Sequence, residues 1–384
     1  MQYRTLGSTG VEVSVLGMGA MRLPALDEMT SSANIDVPEA VKLIRRAIDG
    51  GVNYLDSAYL YHQQNSEGVV GKALADGYRE RVSLATKLPM ALVEKTADLD
   101  RILDEQLRRF DTDHIDFYLF HGIGAEDWER IVRLELLSAA EKARDAGKIG
   151  HICFSFHGEY AAFETIIKGY DNWAFAQVMY NYMDEDNQAG RRGVELAASR
   201  GIGIVVMEPL RGGKLARPIP AVQELLDAEG YVGGFADLAL RWVWDQAEIG
   251  VALSGMTTFE QLEQNLVSAD RAAVGGLTDF ERQLIAQIRE IYRVQNGVPC
   301  TACGYCMPCP QNLNIPFAFN LYNEVIAYQY DTESRRVYNL FPTRPAEGCI
   351  QCGVCETKCP QGIEISEWMP KIHEQFADPR PIPA

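Results

Sequence analysis

The stretch Asn53-Tyr54-Leu55-Asp56-Ser57-Ala58-Tyr59-Leu60-Tyr61 is a short apolar run that stops on an aspartate and opens into a loop carrying a tyrosine. Residues 53–57 read as one strand of a series. The runs 15–20, 82–87, 115–120, 151–155, 175–179, 203–207 and 250–254 share its short, apolar or β-branched character. Longer amphipathic stretches separate them. Over 97–110, Leu99, Ile102, Leu103 and Leu107 fall on one helical face; 128–146 repeats the pattern with Ile131, Leu134 and Leu137. A third such stretch, 236–246, carries Leu238, Leu240 and Trp242. Strand and helix in alternation imply parallel β-α-β units. Eight such units in about 270 residues match a (β/α)8 barrel.

A doubly wound open sheet is the alternative. Against it, Gly17-Met18-Gly19 after the first strand does not complete the fingerprint G-x-G-x-x-G, because Arg22 stands at its last position. No Walker motif and no repeat of a solenoid period is present. The opening segment 3–13, apolar at alternate positions around Gly10, is expected to form a hairpin that plugs the barrel floor.

Polar residues mark the strand ends. Asp56 closes the second strand, Lys87 the third, His121 follows the fourth, Ser155 ends the fifth, Gln177 lies in the sixth and Glu208 follows the seventh. Active sites of β/α barrels are built on that face. One such residue is ordinarily a cap; several at one mouth suggest chemistry. Tyr61 would be the acid, Lys87 the charge that lowers its pKa, Asp56 the group that keeps Lys87 protonated, and His121 a hydrogen-bond partner for a substrate oxygen. His157, beyond the fifth strand, reads equally as a site residue or a surface histidine. Cys153 reads as a core thiol and Tyr180-Asn181-Tyr182 as packing or pocket lining.

These residues resemble the aldo/keto reductase family over about 1–270. The resemblance rests on Tyr3-Arg4-Thr5-Leu6-Gly7-Ser8-Thr9-Gly10, the Asp56/Tyr61 pair, Ala85-Thr86-Lys87, His121 after Asp116-Phe117-Tyr118-Leu119-Phe120, Gly147-Lys148-Ile149-Gly150, Gln177, and Gln261 with Gln264-Asn265. It implies a catalytic tetrad of Asp56, Tyr61, Lys87 and His121, and a nicotinamide cofactor extended across the mouth. It also implies that Ser155 and Gln177 hold the carboxamide, and that Leu210-Arg211-Gly212-Gly213 cradles the pyrophosphate. Met207, Gly255, Gln261, Gln264 and Asn265 complete the cofactor contacts. The chain departs from the family pattern in three places. Phe156 replaces an asparagine, Met207 a stacking aromatic, and Gly255 and Gln261 the lysine and arginine of NADP-selective members. The missing cations leave NADH and NADPH undecided and keep a flavin in the same mouth as an alternative.

Cysteine usage divides the chain. Residues 1–299 hold one cysteine, Cys153; residues 300–384 hold eight. Cys349, Cys352, Cys355 and Cys359-Pro360 follow C-x2-C-x2-C-x3-C-P, the bacterial ferredoxin run for a 4Fe–4S cluster. Cys300, Cys303, Cys306 and Cys309-Pro310 repeat it with the last spacing shortened to x2. Zinc, the alternative, usually takes two separated C-x2-C pairs. In two-cluster ferredoxins the fourth cysteine of each run serves the other cluster. That precedent groups Cys300, Cys303 and Cys306 with Cys359, and Cys349, Cys352 and Cys355 with Cys309. Residues 317–330 between the motifs read as helix, so the tail resembles a small, mainly helical ferredoxin-like module. The expected domains are 1–285 and 286–384, with a linker near 293–299.

The 384 residues are 47% hydrophobic and 23% charged, an ordinary globular composition. A net charge of −17 argues against nucleic acid or an anionic membrane as partner. No apolar run reaches membrane-spanning length and the start lacks a signal-peptide stretch, so a cytoplasmic protein is expected. The expectation is an iron–sulfur member of the aldo/keto reductases: an oxidoreductase interconverting carbonyl and alcohol, with two 4Fe–4S clusters for electron transfer to a partner protein. Three rivals are a flavin-containing barrel fed single electrons by the clusters, an ordinary reductase with structural clusters, and a redox-sensing binding module.

Overall fold

A computed structural model describes residues 1–27, 32–295, 297–300, 303–329, 332–340 and 344–377. The chain divides into two compact units. The first is Met1–Ala216 with Gly233–Thr278; the second is Arg217–Val232 with Asp279–Ala384.

In the first unit, β1 (Tyr3–Thr5) and β2 (Glu12–Ser14) form an antiparallel hairpin. Eight parallel strands follow: β3 (Leu16–Gly19), β4 (Tyr54–Asp56), β5 (Ser83–Leu88), β6 (Ile115–Ile123), β7 (Ile149–Phe156), β8 (Phe175–Met179), β9 (Gly203–Met207) and β10 (Ile249–Ser254). They close into a barrel in chain order, with β10 pairing back to β3. The helices α1 (Val37–Asp49), α2 (Ser66–Leu74), α3 (Ala97–Phe110), α4 (Ala125–Arg133), α5 (Leu136–Asp145), α6 (Tyr160–Gly169) and α7 (Gly190–Ser199) lie between successive strands. Of the next two, α8 (Pro220–Ala228) belongs to the second unit and α9 (Phe235–Trp244) precedes β10. Helix α10 (Phe259–Asp270) follows β10.

Each helix follows from its sequence. In α1 the buried Ala40, Leu43, Ile44, Ala47 and Ile48 recur at helical spacing, and Asp36 caps the start by accepting the Glu39 N–H at 3.1 Å. The stretch 128–146, expected as one helix, is two. Glu135 adopts a left-handed φ of 53° between α4 and α5, breaking the backbone ladder while Ile131 and Leu136 both remain buried. Periodicity alone does not reveal such a break.

The hairpin forms the barrel floor. Leu6 and Val13 are fully buried in one cluster with Tyr54, Ala85, Phe117, Leu119, Cys153, Phe175, Val205 and Val251. Space for Leu6 comes from two glycines: a Cβ at Gly203 or Gly250 would approach its Cδ1 to 2.8 or 2.7 Å. Cys153 sits in this cluster as a core thiol.

The second unit adds α11 (Asp279–Val294), α12 (Ile315–Tyr328), α13 (Thr332–Leu340) and α14 (Ile365–Phe376). Helix α12 covers most of the expected 317–330 and ends where Gln329 turns left-handed; Tyr330 lies outside the described residues. Among the described residues no helix is long and apolar enough to cross a membrane.

Truncating the floor plug tests this packing. Leu6→Ala should lower barrel stability by about 2–5 kcal/mol, as measured for buried leucines whose site cannot collapse. Urea unfolding followed by tryptophan fluorescence measures it; a loss below about 0.5 kcal/mol would remove the hairpin from the core.

Candidate active site and thiol sites

Alternation along each strand carries the site. Successive side chains point to opposite faces, so a residue two beyond a floor residue also faces inward. Asp56 therefore follows Tyr54, Lys87 follows Ala85, Ser155 follows Cys153, Gln177 follows Phe175 and Met207 follows Val205. On β6 the register shifts between Phe120 and Ile123, three steps there matching two on β7 from Phe154 to Phe156. The extra residue is a bulge at His121-Gly122, with Gly122 at φ 60°.

At the mouth, Lys87 Nζ donates to Asp56 Oδ1 at 2.6 Å and to the Ser57 carbonyl at 2.7 Å, and reaches Tyr61 Oη at 3.4 Å. Lys87 is 1% exposed and Asp56 3%. The Tyr61 and His121 rings meet edge to face at 5.9 Å. Gln177 Nε2 donates to Asp56 Oδ2 at 3.3 Å. The Gly122 N–H donates to Ser155 Oγ at 2.7 Å, tying the bulge to β7. Asp56, Tyr61, Lys87, His121 and Gln177 form one connected group, and Ser155 joins it through the backbone of the bulge.

Burial sets the protonation states. It pulls the Lys87 ammonium down, but Asp56 and Tyr61 together more than reverse this, so its pKa ends raised. Burial pushes the Asp56 carboxyl up, against Lys87 and Gln177. For Tyr61 burial also dominates, and the phenol is raised, not lowered as the sequence suggested; Lys87 offsets only part of the shift. His121 falls to about 3, through burial and then the charges of Lys87 and His157. At neutral pH this is a charged lysine beside a phenol and a neutral imidazole.

The other expected cofactor residues spread around the mouth. Met207 is half-buried at the end of β9. Arg211, Gly212 and Gly213 take left-handed φ values of 48°, 66° and 96° in one turn, and the Leu210 carbonyl accepts from Gly213 N–H at 2.9 Å. Arg211 Nε lies 3.4 Å from Asp184 Oδ2. Gly255 follows β10 and is exposed. Gln261, Gln264 and Asn265 are on α10 with their amides already engaged. Gln261 Oε1 accepts from Thr257 N–H at 2.8 Å and, in a capping box, from Thr258 N–H at 3.4 Å; Gln264 donates to Glu260 at 3.3 Å, and Asn265 donates to Ser254 Oγ at 3.0 Å. Phe156 turns away from the mouth and packs edge-on against Phe163 at 5.0 Å.

Sequence reasoning missed His62. It is 1% exposed; its Nε2 accepts the Leu23 N–H at 3.1 Å and its Nδ1 lies 2.6 Å from the Ser32 carbonyl. It therefore ties the loop after β4 to the loop after β3, adjacent to Tyr61. The only signal was its place next to that tyrosine.

Gln177 Oε1 is buried and has no hydrogen-bond partner among the described residues. An unmet buried acceptor is costly, and it suits the N–H of a carboxamide. The turn at 210–213 holds left-handed backbone at Gly212 and Gly213, and the space a Cβ would take at Gly213 is open, so a ligand can approach the main chain closely there. Both observations fit a nicotinamide dinucleotide.

In the second unit, Gly304 and Gly353 take φ of 77° and 70°, and in both motifs the N–H three residues on closes onto their carbonyls, from Met307 at 2.9 Å and Glu356 at 3.0 Å. Cys309-Pro310-Gln311 leads into α12 as Cys359-Pro360-Gln361 leads into α14. Cys309, Cys349, Cys352 and Cys355 line one cavity together with Ile365 and Met369. Burial raises the Cys306 thiol, and the charges that add to the rise are Cys300, Cys303 and Cys359. The thiols thus group crosswise. Two C-x2-C-x2-C runs, each with a fourth cysteine followed by proline, suit iron–sulfur ligation better than the two separated C-x2-C pairs usual for zinc.

Residues 15–274 match the model of the aldo/keto reductase family and residues 299–364 that of a 4Fe-4S dicluster domain. The probable aldo-keto reductase 1 of Glycine max is 28% identical over 68% of this chain and 82% of its own length. The uncharacterized oxidoreductase YqkF of Bacillus subtilis is 24% identical over 70% of this chain and 92% of its own. Among solved structures, aldo-keto reductase AKR11C1 from Bacillus halodurans in its holo form superposes with a TM-score of 0.61, at 27% identity, over 75% of this chain and 96% of that one.

Crossed grouping has a direct test. Cys309→Ser and Cys355→Ser should each remove about half of the roughly eight iron atoms that two four-iron clusters hold. The double variant should lose no more than either single one. Iron analysis with EPR of the reduced protein decides; additive loss would place Cys309 with Cys306 instead.

Proposed function

The chain belongs to the aldo/keto reductase family and carries a 4Fe–4S dicluster domain, and from that premise we propose that its barrel mouth interconverts a carbonyl and an alcohol. Its oxidoreductase class follows from the family and its relatives. The observation that carries the finer reading is the buried Lys87 ammonium held between the Asp56 carboxylate and the Tyr61 phenol.

The phenol is the proton donor. Burial keeps it protonated before reaction, so it approaches the substrate oxygen as an acid. As the proton leaves, negative charge grows on Tyr61 Oη, 3.4 Å from Lys87 Nζ. That charge pair strengthens only as the transition state forms, which is where stabilisation accelerates a reaction. Asp56 holds the ammonium in place and charged. His121, neutral at any ordinary pH, polarises the same oxygen through an N–H and does not compete as an acid.

Ser155 and the free Gln177 Oε1 would orient a nicotinamide carboxamide, and the turn at 210–213 would receive the pyrophosphate. A reduced nicotinamide held there would supply hydride to the carbonyl carbon, and Tyr61 donates the proton to its oxygen. In the second unit, Cys300, Cys303, Cys306 and Cys359 would hold one 4Fe–4S cluster and Cys309, Cys349, Cys352 and Cys355 the other; such clusters would supply single-electron exchange, with a partner protein as donor or acceptor. A small carbonyl compound is the substrate class.

Tyr61→Phe tests the acid. It should lower kcat for carbonyl reduction by about 10²-fold or more while leaving the dinucleotide Kd within about twofold. Unchanged kcat would remove the phenol from its role.

The pH profile gives a second test. With His121 at about 3 and Tyr61 above its ordinary value, neither the imidazole nor the phenol should titrate between pH 5 and 8. Reduction should stay flat there and fall only as the phenol ionises in alkali. A break near pH 6.5 in kcat/KM would instead assign the proton to a histidine.

A further inference from the structure

Arg22 ends the short 3-10 turn after β3, at the rim of the barrel mouth. It is half-buried, yet among the described residues no side-chain hydrogen bond or ion pair engages its guanidinium. Buried or partly buried arginines are normally paired. Its backbone is pinned on both sides. Thr257 Oγ1 donates to the Arg22 carbonyl at 2.9 Å, and the Leu23 N–H is held by His62 at 3.1 Å.

The side chain lies across two glycines that the cofactor reading singled out. A Cβ added at Gly255 would sit 3.1, 3.2 and 3.3 Å from Arg22 Cδ, Cβ and Cγ. A Cβ added at Gly212 would sit 3.5 Å from Arg22 Nη2. The stem therefore rests on Gly255 and the charged tip reaches Gly212, within the left-handed turn of residues 211–213. Any side chain at Gly255 competes with the stem for that space. The absence of a cation at 255 and the presence of one at 22 are two sides of a single arrangement.

Taking the dinucleotide reading of the mouth as its basis, we propose that Arg22 is the phosphate clamp of this site, closing its guanidinium over the pyrophosphate seated on the 210–213 turn. The planar fork suits two phosphate oxygens at once. Because Thr257 and His62 already fix the backbone, little freedom is lost on binding. A clamp on the pyrophosphate serves NADH and NADPH alike, since both carry that group. Nucleotide affinity then comes from the first βα loop, not from the residues after β10.

The experiment is equilibrium titration of the full-length, anaerobically prepared protein with NADH and with NADPH, read by tryptophan quenching and by calorimetry. Arg22→Met should raise both Kd values by about tenfold to hundredfold, as loss of a charged hydrogen-bonding partner does. The two factors should agree within about threefold. Arg22→Lys should recover part of the affinity, and both variants should unfold at the wild-type urea midpoint. Unchanged Kd values in Arg22→Met, with the wild type binding normally, would overturn the clamp alone. A loss confined to NADPH would move the contact to the 2′-phosphate and overturn the pyrophosphate assignment. A wild type that binds neither dinucleotide would instead bring down the reading of the mouth itself, and the clamp with it.

Discussion

A lysine ammonium and an aspartate carboxylate 2.6 Å apart, both almost wholly withdrawn from solvent, set the terms for the barrel mouth. Desolvating two charges is costly, and removing either partner typically destabilises by about 3–5 kcal/mol because the other is left uncompensated. Such a pair is a poor way to stabilise a barrel. Its effect is to keep a positive charge beside a phenol. The surrounding residues fit that purpose. Tyr54 and Phe117 roof the floor beneath the pair, Ser57 accepts a second hydrogen bond from the ammonium, and Gln177 braces the far oxygen of Asp56.

The second unit solves a different problem. Its apolar core is small, built from residues such as Leu313, Ile315, Phe319, Ile365, Met369 and Ile372, with six of the eight tail cysteines packed against it. Small domains often need a covalent or metal staple to persist. Crossed ligation would meet that need well, because each group of four would tie the two sequence motifs together. The ligands of a redox centre would then also be the framework of the unit.

How much of this could be read in advance depended on which force decides each feature. The barrel was legible because short apolar runs alternate with amphipathic helical stretches, and period-two alternation puts Asp56, Lys87, Ser155 and Gln177 on one face without further information. The bulge at His121-Gly122 was not, since it depends on register against β7. The break at Glu135 was invisible because apolar spacing continues through it. The phenol shift was misjudged in sign: sequence places Lys87 near Tyr61, but only packing says how little water reaches the phenol. Arg22 was visible only as the residue that spoils a glycine fingerprint. Its reach to Gly212 and Gly255 is a property of the folded loops.

Hydride transfer with protonation by Tyr61 is the core of the account, and isotopic transfer tests it most directly. NADH or NADPH deuterated at the transferring C4 position would be mixed anaerobically with the protein and an aldehyde, and the alcohol examined by mass spectrometry and NMR. The account predicts one deuterium on the carbinol carbon and a primary isotope effect on the single-turnover rate. An alcohol free of deuterium, formed with the clusters cycling between oxidation states, would contradict it.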